Sequence, residues 1–251
     1  MSATLDNKRR KGYPCYPSII PGGLWALTNR LLGRQLRVGP QARRLVNRVS
    51  PPVECLGMPN IPPDGGYVVT VNHYAREGFS SAWIAIGVSG LIPAEVTWVM
   101  TEEWVFQGHP LACVLRPAMR FVLASLQKVF GFLPMPPMVA GYSEVTQRSA
   151  AVRRVIAYVR RNPQAVIGLA PEGRDAPKDG VGELPSGVGK FILYLNCMGL
   201  RVLPAGITED HGRLSVRFGE PYDLVLTDAE GGIDMQARAI VREKIEQLLR
   251  A

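Results

Sequence analysis

The chain has 251 residues, 47% hydrophobic and 20% charged, which excludes the disordered and coiled-coil classes and allows a sizeable core in one catalytic domain, with or without an added arm. Its formal net charge of +8 is carried unevenly: residues 1–50 hold ten Lys or Arg against Asp6 alone, and the rest of the chain is near neutral. A nucleic-acid groove across the main domain is therefore disfavoured, and a basic arm meeting an anionic surface, membrane or nucleic acid, is indicated.

No apolar run of about 7 to 15 residues with a small-residue cleavage site follows the N-terminal charges, so a signal peptide is not expected. Over residues 24–38, Leu24, Leu27, Leu31 and Val38 recur at helical spacing with Trp25, Leu32 and Leu36 beside them, while Arg30, Arg34 and Arg37 fall opposite. This predicts one amphipathic helix, ended at Gly39-Pro40. Such a helix suits a membrane interface, and equally a seat on the main domain with a solvated Arg face. Ser50-Pro51-Pro52, Pro59, Pro62, Pro63 and Gly65-Gly66 then form a turn-rich connector, dividing the chain into an arm, residues 1–50, and a domain, residues 51–251.

Tyr67-Val-Val-Thr-Val71 reads as a buried strand ending at Asn72-His73. Between Glu77 and Glu95 lie 17 uncharged residues, at the lower edge of the roughly 17 to 25 that span a bilayer. Ser80, Ser81, Gly87, Gly90 and Pro93 among them predict a buried core helix instead, and no transmembrane helix is expected. Beyond it, strands at 96–100, 165–170, 201–207 and 214–218 are interspersed with helices at 111–130, 144–161, 188–198 and 234–250. That succession predicts an α/β fold with a mixed, largely parallel sheet flanked by helices, preceded by an N-terminal basic amphipathic helical arm. Cys15, Cys55, Cys113 and Cys197 form no C-x-x-C pair, so neither a zinc site nor a disulfide framework is expected, and no metal is assigned.

Ligands of open α/β sheets bind beyond the carboxyl ends of the strands. Two loops qualify, Asn72 to Phe79 and Pro171 to Asp175. In the first, His73 and Glu77 are four apart; if a helix starts there, the carboxylate reaches one imidazole nitrogen and leaves the other as a base. A single His after a strand also suits a purely structural role. In the second loop Arg174 offers a fork for phosphate or carboxylate, and Glu172-Gly173 lets backbone N–H groups approach a ligand, although a plain turn with a surface Arg accounts for the same residues.

Taken together in order and spacing, Asn72-His73-Tyr-Ala-Arg76-Glu77-Gly78, Pro171-Glu172-Gly173-Arg174, Val202-Leu203-Pro204-Ala205-Gly206-Ile207 and Phe218-Gly219-Glu220-Pro221 resemble blocks of the glycerolipid (lysophosphatidic acid-type) acyltransferase family, over about residues 51–225. The first block of that family is N-H-x-x-x-x-D and the third is a strand followed by P-E-G-T-R. The resemblance implies transfer of a fatty acyl group from an acyl-CoA or acyl-carrier protein thioester to a lipid hydroxyl, with no other cofactor. It implies His73 as general base, Glu77 as the acid that orients it, and Asn72, Arg76, Glu172, Gly173 and Arg174 in substrate binding. The implied partners are an anionic membrane surface, a lipid acceptor and the thioester donor, with no nucleic acid, and the implied location is peripheral, on the cytoplasmic face of a membrane.

Three positions depart from the family pattern. Gly78 stands where the Asp is expected, so the acid falls to Glu77; the third block lacks its Thr; and the second block, Gly131-Phe-Leu-Pro-Met-Pro136-Pro137, has no basic residue to hold an acceptor phosphate. An acceptor other than simple lysophosphatidic acid is therefore expected, unless Arg76 supplies the missing cation. A serine-hydrolase elbow G-x-S-x-G is absent, and Leu-Pro-Ser186-Gly-Val-Gly-Lys190 is not a P-loop. The competing readings are a lipid-binding protein that kept the fold and lost the acid, and a basic nucleic-acid-binding protein whose binding would fall steeply with salt.

Overall fold

The structure, a computed structural model, describes residues 12–103, 112–137, 142–173, 180–227 and 232–250. Two helices come first, α1 (Ile20–Leu31) and α2 (Val38–Val46), then β1 (Glu54–Leu56), β2 (Tyr67–Val71), α3 (Ala82–Leu91) and β3 (Val96–Thr101). These are followed by α4 (Ala112–Phe130), β4 (Leu133–Met135), α5 (Tyr142–Arg161), β5 (Val166–Leu169), α6 (Val188–Cys197), β6 (Arg201–Asp210), β7 (Arg213–Phe218) and α7 (Ile233–Arg250). The strands form one seven-stranded sheet in the order β1-β7-β6-β2-β5-β3-β4, parallel throughout except for the hairpin β6–β7. The expected mixed, largely parallel sheet flanked by helices is the fold observed.

β2 is buried along its whole length, as a central parallel strand must be. Its alternation divides the core: Tyr67, Val69 and Val71 pack with Ile84, Val88, Trp98, Leu203 and Ile207 on the α3 side. Val68 joins Val155, Ile167, Ile192, Leu195, Val241 and Ile245 beneath α5, α6 and α7 on the other. No helix among the described residues is long and apolar enough to cross a membrane, and the uncharged stretch after Glu77 holds the ten-residue core helix α3.

The single helix expected over 24–38 is two helices. Leu31 is the last residue of α1, and the Gly33 amide returns to Arg30 O at 3.1 Å while Arg34 N reaches Asn29 O at 2.9 Å. This is the Schellman arrangement, in which Gly33, at φ +65°, takes the left-handed position. Gly39-Pro40, expected to stop a helix, instead lies in the first turn of α2, where a missing N–H costs nothing. Consequently Leu36 and Val38 do not continue the apolar face of α1, and Arg34 and Arg37 do not share its polar face. Arg30 packs inward: Nη1 donates to Ser125 Oγ at 2.8 Å and the guanidinium sits 4.6 Å above the Phe121 ring of α4. The side chains of Leu24 and Trp25, and residues 1–11 with Lys8, Arg9, Arg10 and Lys11, lie outside the described residues. α2 rests on α3 through small residues; a Cβ on Gly90 would come within 2.6 Å of Val46 Cγ2, and Glu95 accepts the amide of Val38.

Candidate functional site

The segment after β2 is held at almost every residue. Asn72 is buried and its side-chain amide behaves as one more peptide of the ladder: Nδ2 donates to Ile207 O at 2.9 Å, and Ile207 N donates to Oδ1 at 2.7 Å. This extends the parallel pairing of β2 with β6, whose last backbone partners are Val71 and Ala205. His73 follows, half-buried, and its backbone N–H donates to Oε1 of Glu172 at 3.1 Å. The two loops that the sequence singles out thus meet at the carboxyl ends of the neighbouring strands β2 and β5.

Glu172 itself is fully buried. Burial raises its carboxyl above the ordinary carboxylate range, and the amides of His73 and Gly182, together with Arg242, oppose that rise. Oε2 has no hydrogen-bond partner among the described residues. The turn that carries Glu172 closes from Gly173 N to Ala170 O at 3.1 Å, with Pro171 at its second position and Gly173, exposed at φ +64°, at its fourth. Arg174 lies outside the described residues.

The i to i+4 helical geometry expected for His73 and Glu77 is not formed, because α3 starts only at Ala82 and residues 72–80 are loop. Instead Arg76, Glu77, Gly78 and Phe79 form a turn closed by Phe79 N to Arg76 O at 3.1 Å, with Gly78 at φ +80° in the third position. A type II turn requires a positive φ there, which explains why glycine occupies the position five after His73. Glu77 is exposed at the tip of this turn.

Arg76 is committed to a residue that the sequence reading passed over. Its Nε and Nη2 grip the two carboxylate oxygens of Glu209 as a bidentate fork, Nη2 at 2.6 Å from Oε1. Tyr16 Oη donates to Oε1 at 2.6 Å and Tyr74 Oη to Oε2 at 3.0 Å. The Glu209 side chain has no exposed surface, and that of Arg76 is 12% exposed. Burial, reinforced by the Glu209 carboxylate, pushes both phenols well above their ordinary range, while the hydrogen bonds to Glu209 raise the Arg76 guanidinium against the opposing effect of burial. Around this core the Tyr13 ring lies 4.0 Å from the Arg76 guanidinium, and Tyr16 packs on Trp83 and Phe79 with centroids 4.8 and 5.8 Å apart. Glu209 lies beyond the strand expected at 201–207, since β6 runs three residues further, to Asp210. The signal was the acidic pair Glu209-Asp210 closing an otherwise apolar strand.

The second block lies at the sheet edge, where β4 pairs with β3 and Pro136 is buried. A cation does approach it from elsewhere in the chain: Arg148 of α5 donates from Nη2 to Pro137 O at 3.0 Å. Glu95 sits at the opposite, amino end of β3, capping α2, whereas Glu102 lies at its carboxyl end. No group of three or more His, Cys, Asp or Glu side chains converges as a metal site among the described residues.

No protein-family model matches the chain, and no curated protein sequence matches it. Among solved structures, the chain is similar to the 1-acyl-sn-glycerophosphate (LPA) acyltransferase PlsC of Thermotoga maritima, with a TM-score of 0.54 over 84% of this chain and 78% of that one at 17% identity. At that identity the likeness is one of fold, the α/β architecture that the two chains share.

Proposed function

We propose that the chain is an acyltransferase that moves a fatty acyl group from an acyl-CoA or acyl-carrier protein thioester to a lipid hydroxyl, with His73 as general base. The observation that carries this reading is the meeting of the His73 loop with the Pro171–Gly173 turn at the carboxyl ends of adjacent parallel strands, the main chain of His73 bonded to Glu172. In the reaction the imidazole takes the proton of the acceptor hydroxyl as its oxygen attacks the thioester carbonyl. The C–O ester bond forms, the C–S bond breaks, and the proton passes to the departing thiolate. Glu77 is the candidate to orient the imidazole, and Arg174 to hold an anionic part of either substrate.

An anionic membrane, where lipid acceptors reside, would be met by the exposed arginines of the N-terminal region, Arg34, Arg37, Arg44 and Arg48. The acceptor suited to this site is a lipid hydroxyl without a phosphate monoester. The second block contributes no cation of its own, the Arg148 that approaches it donates to Pro137 O, and the charge of Arg76 is already balanced by Glu209. A second reading, a lipid-binding protein that has lost turnover, is favoured by one observation: Gly78 serves a turn in the place of the family Asp. Incubating purified protein with labelled acyl-CoA or acyl-carrier protein and a panel of hydroxylated lipids, with mass-spectrometric detection of product, separates the two. Ester formation supports transfer, and binding without product supports the second reading.

A further inference from the structure

We propose that Glu209 is a positioning residue of this site, and that the site is complete only when the N-terminal segment around Tyr16 is bound to it. The proposal rests on the acyl-transfer reading for its activity measurements, but its structural content does not. Ile207 and Glu209 are two apart on β6, and Ile207 presents its main-chain N–H and C=O to the loop while Glu209 presents its side-chain carboxylate. Between them they bind the loop residues on both sides of His73: Ile207 takes Asn72, and Glu209 takes Tyr74 and Arg76. His73 is further fixed through its own amide by Glu172. A general base contributes only when held within a fraction of an ångström of its proton donor, so a loop pinned at positions 72, 73, 74 and 76 is what such a base needs.

Glu209 also joins parts of the chain distant in sequence. Its carboxylate accepts from Tyr16, 193 positions away, and from Tyr74, 135 away. Two bonds from the Arg76 fork and one from each phenol meet the carboxylate on both oxygens, so a buried charge is fully solvated by protein. Removing the Tyr16 hydroxyl leaves that carboxylate one donor short. The same pairing keeps Arg76 from offering its charge to a ligand, making Glu209 a determinant of which acceptor fits.

Glu209→Gln and Tyr16→Phe test this, with Arg76→Gln/Glu209→Gln as a charge-balanced control. Expected for Glu209→Gln is a fall in kcat of about 10- to 100-fold with the thioester KM changed by less than about twofold, and a smaller fall for Tyr16→Phe. The double variant should be no worse than Glu209→Gln alone, since the carboxylate acts through Arg76. Hydrogen exchange should speed up in residues 73–79 while the amides of α6 and α7 keep their rates. Unchanged exchange in 73–79 with unchanged kcat overturns the proposal, as does faster exchange across the whole chain, the mark of a purely stabilising network. A wild type that forms no ester with any acceptor removes the acyl-transfer reading instead, and the exchange rates of 73–79 still decide whether Glu209 holds the loop.

Discussion

At the scale of single residues, His73 and Glu172 make opposite kinds of prediction. His73→Ala should leave the melting curve intact and lower transfer by at least about 10²-fold, the scale of a lost general base. Near-normal turnover in the folded variant would take His73 out of the mechanism. Glu77→Gln should cost less, because orienting a base is worth less than supplying one; if it is silent while Glu102→Gln is inactive, the orienting acid is at the end of β3 instead. Glu172 predicts a pH effect on stability. Burial raises its carboxyl in the folded protein above the ordinary range, so the folded chain holds that proton more tightly than the unfolded one. The resulting stabilisation is fully present below the unfolded value and is lost as pH rises through the raised one. Thermal melts from acid to neutral pH should therefore show the wild type falling relative to Glu172→Gln over that window. A constant difference between the two proteins across the window would contradict the burial argument. None of this was legible in the sequence: Pro-Glu-Gly announces a turn, but the depth at which the glutamate lies depends on β2, β5 and α7 arriving together.

Among elements, what the sequence made legible was whatever carried a long period. β2, β3, β5, α3, α4, α5, α6 and α7 lie close to where apolar runs and helical spacing put them, because each buries several consecutive turns or alternations. β1 and β4, three residues each, are too short to show alternation, and Pro134 inside β4 argues against a strand until it is seen to lie at the sheet edge. α6 illustrates a support no local pattern shows. Its N-cap is Gly187, which has no side chain, and Asp234 of α7 caps it from outside, accepting from Gly187 N at 3.0 Å and Lys190 N at 2.9 Å. Burial alone would raise Asp234, but those amides with Arg238 and Lys190 outweigh it and hold the carboxyl below its usual range. Asp234→Ala should cost about 1 to 2 kcal/mol in chemical denaturation, and the deficit should shrink as pH falls through the depressed value. A second packing test is Gly168 of β5: a Cβ there would lie 2.6 Å from the Trp98 ring, so Gly168→Ala should destabilise by about 1 to 3 kcal/mol. An unchanged denaturation midpoint would show that Trp98, hydrogen-bonded to Ser89 at 2.8 Å, can shift aside.

For the whole molecule, the proposed membrane contact is a matter of which surface carries exposed charge. Arg34, Arg37, Arg44 and Arg48 are exposed, and so are Leu31 and Leu32, at 82% and 59%. Reversing those four arginines to Glu should weaken binding to anionic vesicles by roughly five-fold or more per charge at low salt. Unchanged vesicle binding would move the contact to another face. Substitution tests this better than truncation at residue 48, since α2 covers α3 and Tyr16 reaches Glu209, so a truncated chain would lose its packing as well as its charge. The composition, the charge concentrated in the first 50 residues and the order of apolar runs determined the α/β class, the basic N-terminal region and the two loops worth attention. They did so because burial and periodicity are local properties of a strand or helix. Only the tertiary structure decided that Arg76 is bound to Glu209, that Glu172 is buried and bonded to the amide of His73, and that Tyr16 donates to the same Glu209 carboxylate. Each of those is a contact between segments 99 to 193 residues apart, and the pairing of buried charges depends on which strand ends the sheet brings together.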